Sequence, residues 1–264
     1  MAVPFDKYEG LGNDFILVDE SVPMTRERAI ALCDRHRGIG ADGVLVVGDA
    51  PSMRVFNADG STPEMCGNGV RCVARYLFAR GRVRNEPFVL DTEAGPHRVE
   101  VRADGTVQVA MRPASLAPAD IALDSERPWI DEPIALGART LHLTAVSMGN
   151  PHAVTFDDVG DARRELGPML EVHPRFRERA NIGFASLTAD GMDLAVWERG
   201  VGWTQACGTG ACAAAVAAVV TGRAARHADL TVRLPGGPLT IRVQDDGAPI
   251  LMTGPARFVF TGEI

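Results

Sequence analysis

At 264 residues and 46% hydrophobic content, the chain is long enough to bury a sizeable core as one large domain or as two of roughly half its length. A formal charge of −7 and the lack of any basic run that would track phosphates exclude a nucleic-acid surface, and no apolar stretch approaches membrane-spanning length. Met1 to Glu9 holds no apolar export signal, and five cysteines, an odd number, do not read as a disulfide framework, so the expected compartment is the cytoplasm, with the thiols reduced.

In chain order, Asp14–Asp19 reads as a strand, Thr25–Arg37 as a helix stopped by Gly38, and Val44–Val47 and Met53–Phe56 as further strands. Asp59-Gly60 signals a hairpin turn. After Cys66-Gly67-Asn68-Gly69, the residues Val70, Val73, Ala74, Leu77 and Phe78 form the i, i+3, i+4, i+7, i+8 stripe of a helix. Asp104-Gly105 and Asp190-Gly191 predict two more hairpins, and Pro113 to Asp120 reads as a linker. Cys207-Gly208-Thr209-Gly210 opens a last helix, Ala211–Val220, which is apolar all round and therefore suits burial on every side. The helices that follow Cys66 and Cys207 stop at Gly81 and Gly222, each fifteen residues after its cysteine, where a left-handed cap fits.

The chain repeats itself. Gly12-Asn13 recurs as Gly149-Asn150, Arg35-His36-Arg37 as Arg175-Phe176-Arg177, and Cys66-Gly67 as Cys207-Gly208, in the same order and at offsets of 137, 140 and 141 residues. Two homologous halves follow, each a sheet wrapped around one central helix. A cysteine at a helix start has its thiolate favoured by unpaired amides and a partial positive charge, which lowers its pKa, and the same amides can grip a carboxylate. Inverting a carbon that bears hydrogen requires a base on one face and an acid on the other, and a thiolate paired with a thiol supplies both. Cys33, Cys72 and Cys212 fall inside helices and read as core, and the spacings from Cys66 to Cys72 and from Cys207 to Cys212 are not those of zinc, so no metal site is expected. Lys7 is the only lysine and lies outside any pattern that would hold pyridoxal phosphate, so amino-acid chemistry here would proceed without that cofactor.

Seven segments are more specific. They are Gly10-Leu11-Gly12-Asn13-Asp14-Phe15, Phe56-Asn57-Ala58-Asp59-Gly60-Ser61, Met65-Cys66-Gly67-Asn68-Gly69, Gly149-Asn150-Pro151-His152, Glu178-Arg179-Ala180-Asn181-Ile182, Glu198-Arg199-Gly200 and Ala206-Cys207-Gly208-Thr209-Gly210-Ala211-Cys212. In this order the chain resembles the diaminopimelate epimerase family over nearly its whole length. The resemblance implies an isomerase that needs no cofactor and interconverts LL- and meso-diaminopimelate, on the way to lysine and peptidoglycan. It also implies an α+β fold of two pseudosymmetric lobes, each a mixed, mostly antiparallel sheet around a central helix, with the active site in the cleft between them. The lobes are expected at 1–113, completed by the C-terminal strand 254–264, and at 114–253, in a homodimer whose ligand is a small molecule.

Carried over by motif, Cys66 and Cys207 form the acid/base pair, with His152 and Glu198 as polar neighbours that set their protonation. Backbone amides of Gly67, Asn68, Gly208 and Thr209 hold the carboxylate at the reacting centre, while Asn13, Asn57, Asn150, Asn181 and Arg199 bind the substrate, including its distal amino-acid end. Asparagine offers both donors and an acceptor to a zwitterion, and arginine grips a carboxylate with two bonds. The chain departs from the family pattern at Gly43, where many members place glutamine, at Thr209 in place of serine, and at Trp203, a position often held by glutamate. Two other readings remain open: a two-cysteine racemase of another amino acid on the same fold, and a redox dithiol module, which gives the asparagines and Arg199 no role. A phosphate-binding module lacks the lysine that a P-loop needs.

Overall fold

In the computed structural model, which describes residues 2–62, 67–137 and 139–264, the chain divides into two units, Met1–Ala110 with Thr253–Ile264, and Met111–Met252. In the first unit, β1 (Pro4–Gly10) turns through Leu11 and Gly12, both at positive φ, into the antiparallel β2 (Asn13–Asp19). Helix α1 (Arg26–Cys33) crosses to β3 (Gly43–Val47), parallel to β2, and β4 (Ser52–Asn57) returns antiparallel. Helix α2 (Gly67–Ala79) crosses to β5 (Phe88–Thr92), parallel to β4, and β6 (Gly95–Val101) and β7 (Val107–Met111) follow as antiparallel neighbours.

The second unit begins with a short α3 (Pro118–Ile121) and the antiparallel pair β8 (Glu132–Leu136) and β9 (Arg139–Ser147). From β9 onward the pairing order of the first unit recurs. Strand β10 (Pro151–Thr155) is antiparallel to β9, α4 (Arg163–Glu171) crosses to β11 (Asn181–Thr188), parallel to β10, and β12 (Gly191–Glu198) returns antiparallel, with a short β13 (Gly202–Trp203) beside it. Helix α5 (Gly208–Val220) crosses to β14 (Asp229–Leu234), parallel to β12, followed by the antiparallel β15 (Gly237–Arg242) and then β16 (Ile250–Gly254). Strand β17 (Arg257–Glu263) belongs to the first unit, antiparallel to β1. The duplication suggested by three short motifs thus extends to the order of the ladders.

Each central helix is enclosed by its own strands: α2 packs on β1, β2, β3, β4, β6 and β17, and α5 on β9, β10, β11, β12, β14 and β15. Val70, Cys72, Val73, Ala74 and Leu77 of α2 are fully buried, as are Ala211 to Ala215, Ala217 and Ala218 of α5. The alanine-rich surface of α5 lets strands approach closely on all sides, which an amphipathic helix of long side chains would prevent. Both helices end at a left-handed glycine, Gly81 at φ 67° and Gly222 at φ 72°. In both, the next N–H returns to the carbonyl five residues earlier, Arg82 to Leu77 at 2.9 Å and Arg223 to Ala218 at 2.7 Å.

Three local expectations are corrected. Helix α1 ends at Cys33, four residues before the predicted end at Arg37, because the Asp34 carboxylate accepts the N–H groups of His36 and Arg37 at 2.8 and 3.0 Å and so offers the backbone an alternative to another helical turn. Asp59-Gly60 makes a turn, with Gly60 N–H bonded to Asn57 O, but among the described residues the next element is α2 rather than a hairpin strand. Pro113 to Asp120 is not a bare linker: Ser115 bridges Ser147, and α3 begins at Pro118. Asp104-Gly105 and Asp190-Gly191 do lie between antiparallel strand pairs.

Candidate functional site

The repeated topology carries the candidate residues to equivalent positions. In the first unit Asn13 begins β2, Gly43 begins β3, Asn57 ends β4 and Gly67 begins α2. In the second, Asn150 directly precedes β10, Asn181 begins β11, Glu198 ends β12 and Gly208 begins α5. Because each pair of first strands is parallel and the third is antiparallel, these termini share one end of their own unit's sheet.

Cys207 is the N-cap of α5, in extended conformation, and its Sγ accepts the Gly210 N–H at 3.3 Å. The N–H groups of Gly208 and Thr209 have no acceptor within the helix and are available to an anion. The Thr209 hydroxyl lies 3.6 Å from Sγ. Burial, and then the charge of Glu198, push the Cys207 thiol up to about 12, against the pull of the Thr209 hydroxyl and the Gly210 amide. This corrects the lowered value that a helix start alone predicts: the cap acts in the expected direction, but desolvation is larger, so the resting form is the thiol. Burial also raises the Glu198 carboxyl, opposed by hydrogen bonds from Thr204 and Cys207. The Thr204 hydroxyl reaches Glu198 Oε1 at 2.5 Å.

His152 lies in β10 at 1% exposure, with Nε2 3.0 Å from Asn150 Oδ1. Burial, and then the Arg199 charge, hold it down to about 3, so the imidazole is neutral. With a carbonyl oxygen as partner, Nε2 carries the proton and Nδ1 is the basic nitrogen. Asn181, buried at the start of β11, donates to Pro151 O at 2.8 Å and accepts the Arg199 N–H at 3.0 Å, tying the start of β10 to the residue after Glu198. The Arg199 guanidinium donates to Glu178 O at 3.1 Å. Asn150 Nδ2 lies 3.5 Å from the Thr209 hydroxyl.

Two supporting residues carry no mark in the sequence. Thr204 is one. The other is Glu171, nearly buried in α4, whose carboxylate accepts the Gly200 N–H at 2.9 Å and the Trp197 indole at 2.6 Å and so pins the turn that follows Arg199. Their partners lie 6 to 29 residues away, beyond any local motif.

In the first unit, Cys66 lies outside the described residues. Gly67 and Asn68 form the start of α2. The Asn68 amide donates to Asn13 Oδ1 at 3.2 Å, and Asn13 Nδ2 donates to Asp42 at 2.7 Å. Asn57 donates to the Ser61 hydroxyl at 3.0 Å. A Cβ at Gly43 would stand 2.7 Å from Phe56 O on the neighbouring strand, so this position admits no longer side chain without backbone movement. Gly43→Gln is expected to lower the unfolding free energy by about 1–3 kcal/mol; an unchanged urea midpoint would contradict that close approach. Trp203, 40% exposed, packs against Trp197 and Phe184 at centroid distances of 5.5 and 5.8 Å.

Among the described residues, no group of three or more His, Cys, Asp or Glu gathers as metal ligands, and no helix is long and apolar enough to cross a membrane.

The sequence profile of the diaminopimelate epimerase family matches residues 5–117 and 144–259. A diaminopimelate epimerase of Synechocystis sp. is 47% identical over 100% of this chain and 99% of its own length. One of Desulforudis audaxviator is 49% identical over 98% of each. Among solved structures, a PhzF-family phenazine biosynthesis protein of Bacillus anthracis superposes with a TM-score of 0.72 at 17% identity, covering 100% of this chain and 99% of that one. A hydroxyproline epimerase of Agrobacterium vitis does so with a TM-score of 0.67 at 16% identity, covering 100% and 92%. At such identities these structures share the fold alone.

Proposed function

The chain belongs to the diaminopimelate epimerase family of isomerases, and we propose that it interconverts LL- and meso-diaminopimelate, a step of lysine biosynthesis, with two cysteines as its acid and base. The observation that carries this reading is the site at Cys207: a thiol capping a helix start, beside a half-buried carboxyl and two amides without helical acceptors. One thiolate removes the α-proton, and the opposite thiol returns a proton to the other face of the carbon. The reverse reaction exchanges the two roles. Cys207 becomes a base by passing its proton to Glu198, which lies within hydrogen-bond reach of the thiol and whose carboxyl is pushed up by burial, narrowing the gap between the two groups. We assign the partner role to Cys66, with neutral His152 as a polar neighbour. Amides of Gly208 and Thr209, with those of Gly67 and Asn68, steady the carboxylate as charge builds beside it.

Asn13, Asn57, Asn150, Asn181 and Arg199 are assigned to the rest of the substrate. Arg199 carries five N–H donors, of which its bond to Glu178 uses one, and a fork of this kind suits the distal carboxylate. Arg199→Ala is expected to raise KM for diaminopimelate about tenfold or more, the scale of a lost charged hydrogen bond, with kcat changed less. Substrates lacking the second amino-acid end should react poorly. Comparable turnover of L-proline or L-histidine would overturn the assignment in favour of a broader racemase.

We further place the enzyme in the cytoplasm, where thiols stay reduced, and in a homodimer. Support for the dimer is the apolar run Phe258, Val259 and Phe260 of β17, 44–55% exposed in the single chain. Sedimentation at micromolar concentration checks it, with a monomer as the contrary result.

A further inference from the structure

The sole lysine has a place that the reaction does not use. Lys7 is buried in β1, donates to Gly40 O and pairs with Asp14 at 2.7 Å. Arg35 grips the same carboxylate at 3.2 and 2.7 Å and reaches Asp42 Oδ1 at 2.8 Å. Two cations thus face two carboxylates, so the cluster carries no net charge. Burial alone would raise the Asp14 carboxyl, but the bonds from Arg35 and Lys7 outweigh it and hold the group at about 2, which keeps that carboxylate ionised at working pH.

The second oxygen of Asp42 accepts the Asp14 N–H at 3.0 Å and the Asn13 Nδ2 at 2.7 Å. From Asn13 the chain of bonds continues the other way. Asn13 Oδ1 accepts from Asn68 Nδ2 at 3.2 Å, and Asn68 Oδ1 accepts from Arg71 at 2.8 Å. Arg71, fully buried in α2, is itself held by Pro255 O at 3.1 Å and Gly67 O at 3.4 Å. A carboxamide can present either end to a neighbour. An arginine only donates, however, and a carboxylate only accepts. With Arg71 at one end and Asp42 at the other, both asparagines have a single permitted orientation, and each keeps one N–H and one oxygen lone pair outside the chain.

We propose that Asp42, braced by Arg35, is a positioning residue for the epimerase: it fixes which face the Asn13 carboxamide, and through it that of Asn68, offers to the substrate. This rests on the assignment of Asn13 to substrate binding. Asp42 touches no reacting atom in this account and acts through Asn13.

The test is a double-mutant cycle of Asp42→Ala and Asn13→Ala, reading kcat and KM with LL-diaminopimelate. Asp42→Ala is expected to raise KM about tenfold, the loss of one charged hydrogen bond, with kcat changed less than about threefold. In the Asn13→Ala background the same substitution is expected to change KM less than about twofold, since no carboxamide remains to be oriented. An equal factor in both backgrounds would assign Asp42 a structural role only and overturn the proposal. So would an unchanged KM for Asp42→Ala where Asn13→Ala raises it. An Asn13→Ala enzyme with unaltered KM would instead remove the substrate-binding assignment, and the proposal with it. If Asp42→Ala fails to fold, Arg35→Ala, which loosens the brace from an exposed side chain, takes its place in the same cycle, with an expected rise of about threefold that vanishes without Asn13.

Discussion

Cys207→Ala is expected to lower kcat/KM for epimerisation by about a thousandfold or more, the upper part of the range for a positioned acid or base. The size follows from the chemistry. In the proposed mechanism every inversion uses both thiols, one to remove a proton and one to deliver one, so no turnover bypasses the missing group. Water can replace neither efficiently in a site where the Cys207 thiol is 6% exposed. The loss is also expected to be selective. With the second thiol intact, one stereoisomer should still exchange its α-proton with solvent without inverting, because its removal and return occur on one face. Cys66→Ala should show the same pattern for the other stereoisomer. Circular dichroism and the urea midpoint establish that the variants are folded; a loss below tenfold in a folded Cys207→Ala enzyme would contradict the acid/base assignment.

The second large effect is acid sensitivity. In the folded chain His152 stays neutral down to about pH 3, first through burial and then through the Arg199 charge. In the unfolded chain it takes up a proton near its ordinary value of 6.5. Between those values the unfolded state binds more protons, so the contribution to stability is whole above pH 6.5 and falls as the pH drops, by about 1.4 kcal/mol per unit. Asp14 adds a second loss lower down. Its carboxyl is lowered from 3.8 to about 2, so the stability it contributes is present above 3.8 and disappears as pH falls through 2. Urea unfolding near pH 5 should therefore show about 2 kcal/mol less stability than near pH 7.5. His152→Gln should remove most of that slope. The same slope in the variant would contradict a neutral, buried His152.

Much of the fold's local detail was legible. Asp104-Gly105 and Asp190-Gly191 mark hairpins because a turn with positive φ leaves few choices of residue. The all-apolar run Ala211–Val220 marks a buried helix because no face is fit for water. Gly81 and Gly222 mark helix ends for the conformation they later adopt. What escaped depended on competition or distance. Thr25–Arg37 reads as one helix until the Asp34 side chain captures two backbone amides. Asp59-Gly60 has hairpin chemistry, yet whether strands flank it is decided by tertiary pairing.

The site divides in the same way. Cys207 at a glycine-rich helix start was visible as a pattern, but its pKa was not, since burial and Glu198, nine residues upstream, reverse the local effect. Gly12-Asn13 and Gly149-Asn150 read locally as turns, and only their repetition and the family resemblance single out the asparagines. Asp42 and Glu171 left no trace. Each draws its role from partners brought close by parallel crossovers, the connections least accessible to a reading of neighbouring residues.

Inversion by two monoprotic thiols can be followed by proton NMR of the reduced enzyme with LL-diaminopimelate in deuterium oxide. Meso product is expected to carry deuterium at the inverted carbon from the first turnovers, while unreacted LL substrate retains its proton, because the base that removes hydrogen is not the acid that supplies it. Meso product that keeps protium at that carbon would show a single base transferring its own proton from face to face, and would contradict the two-cysteine account.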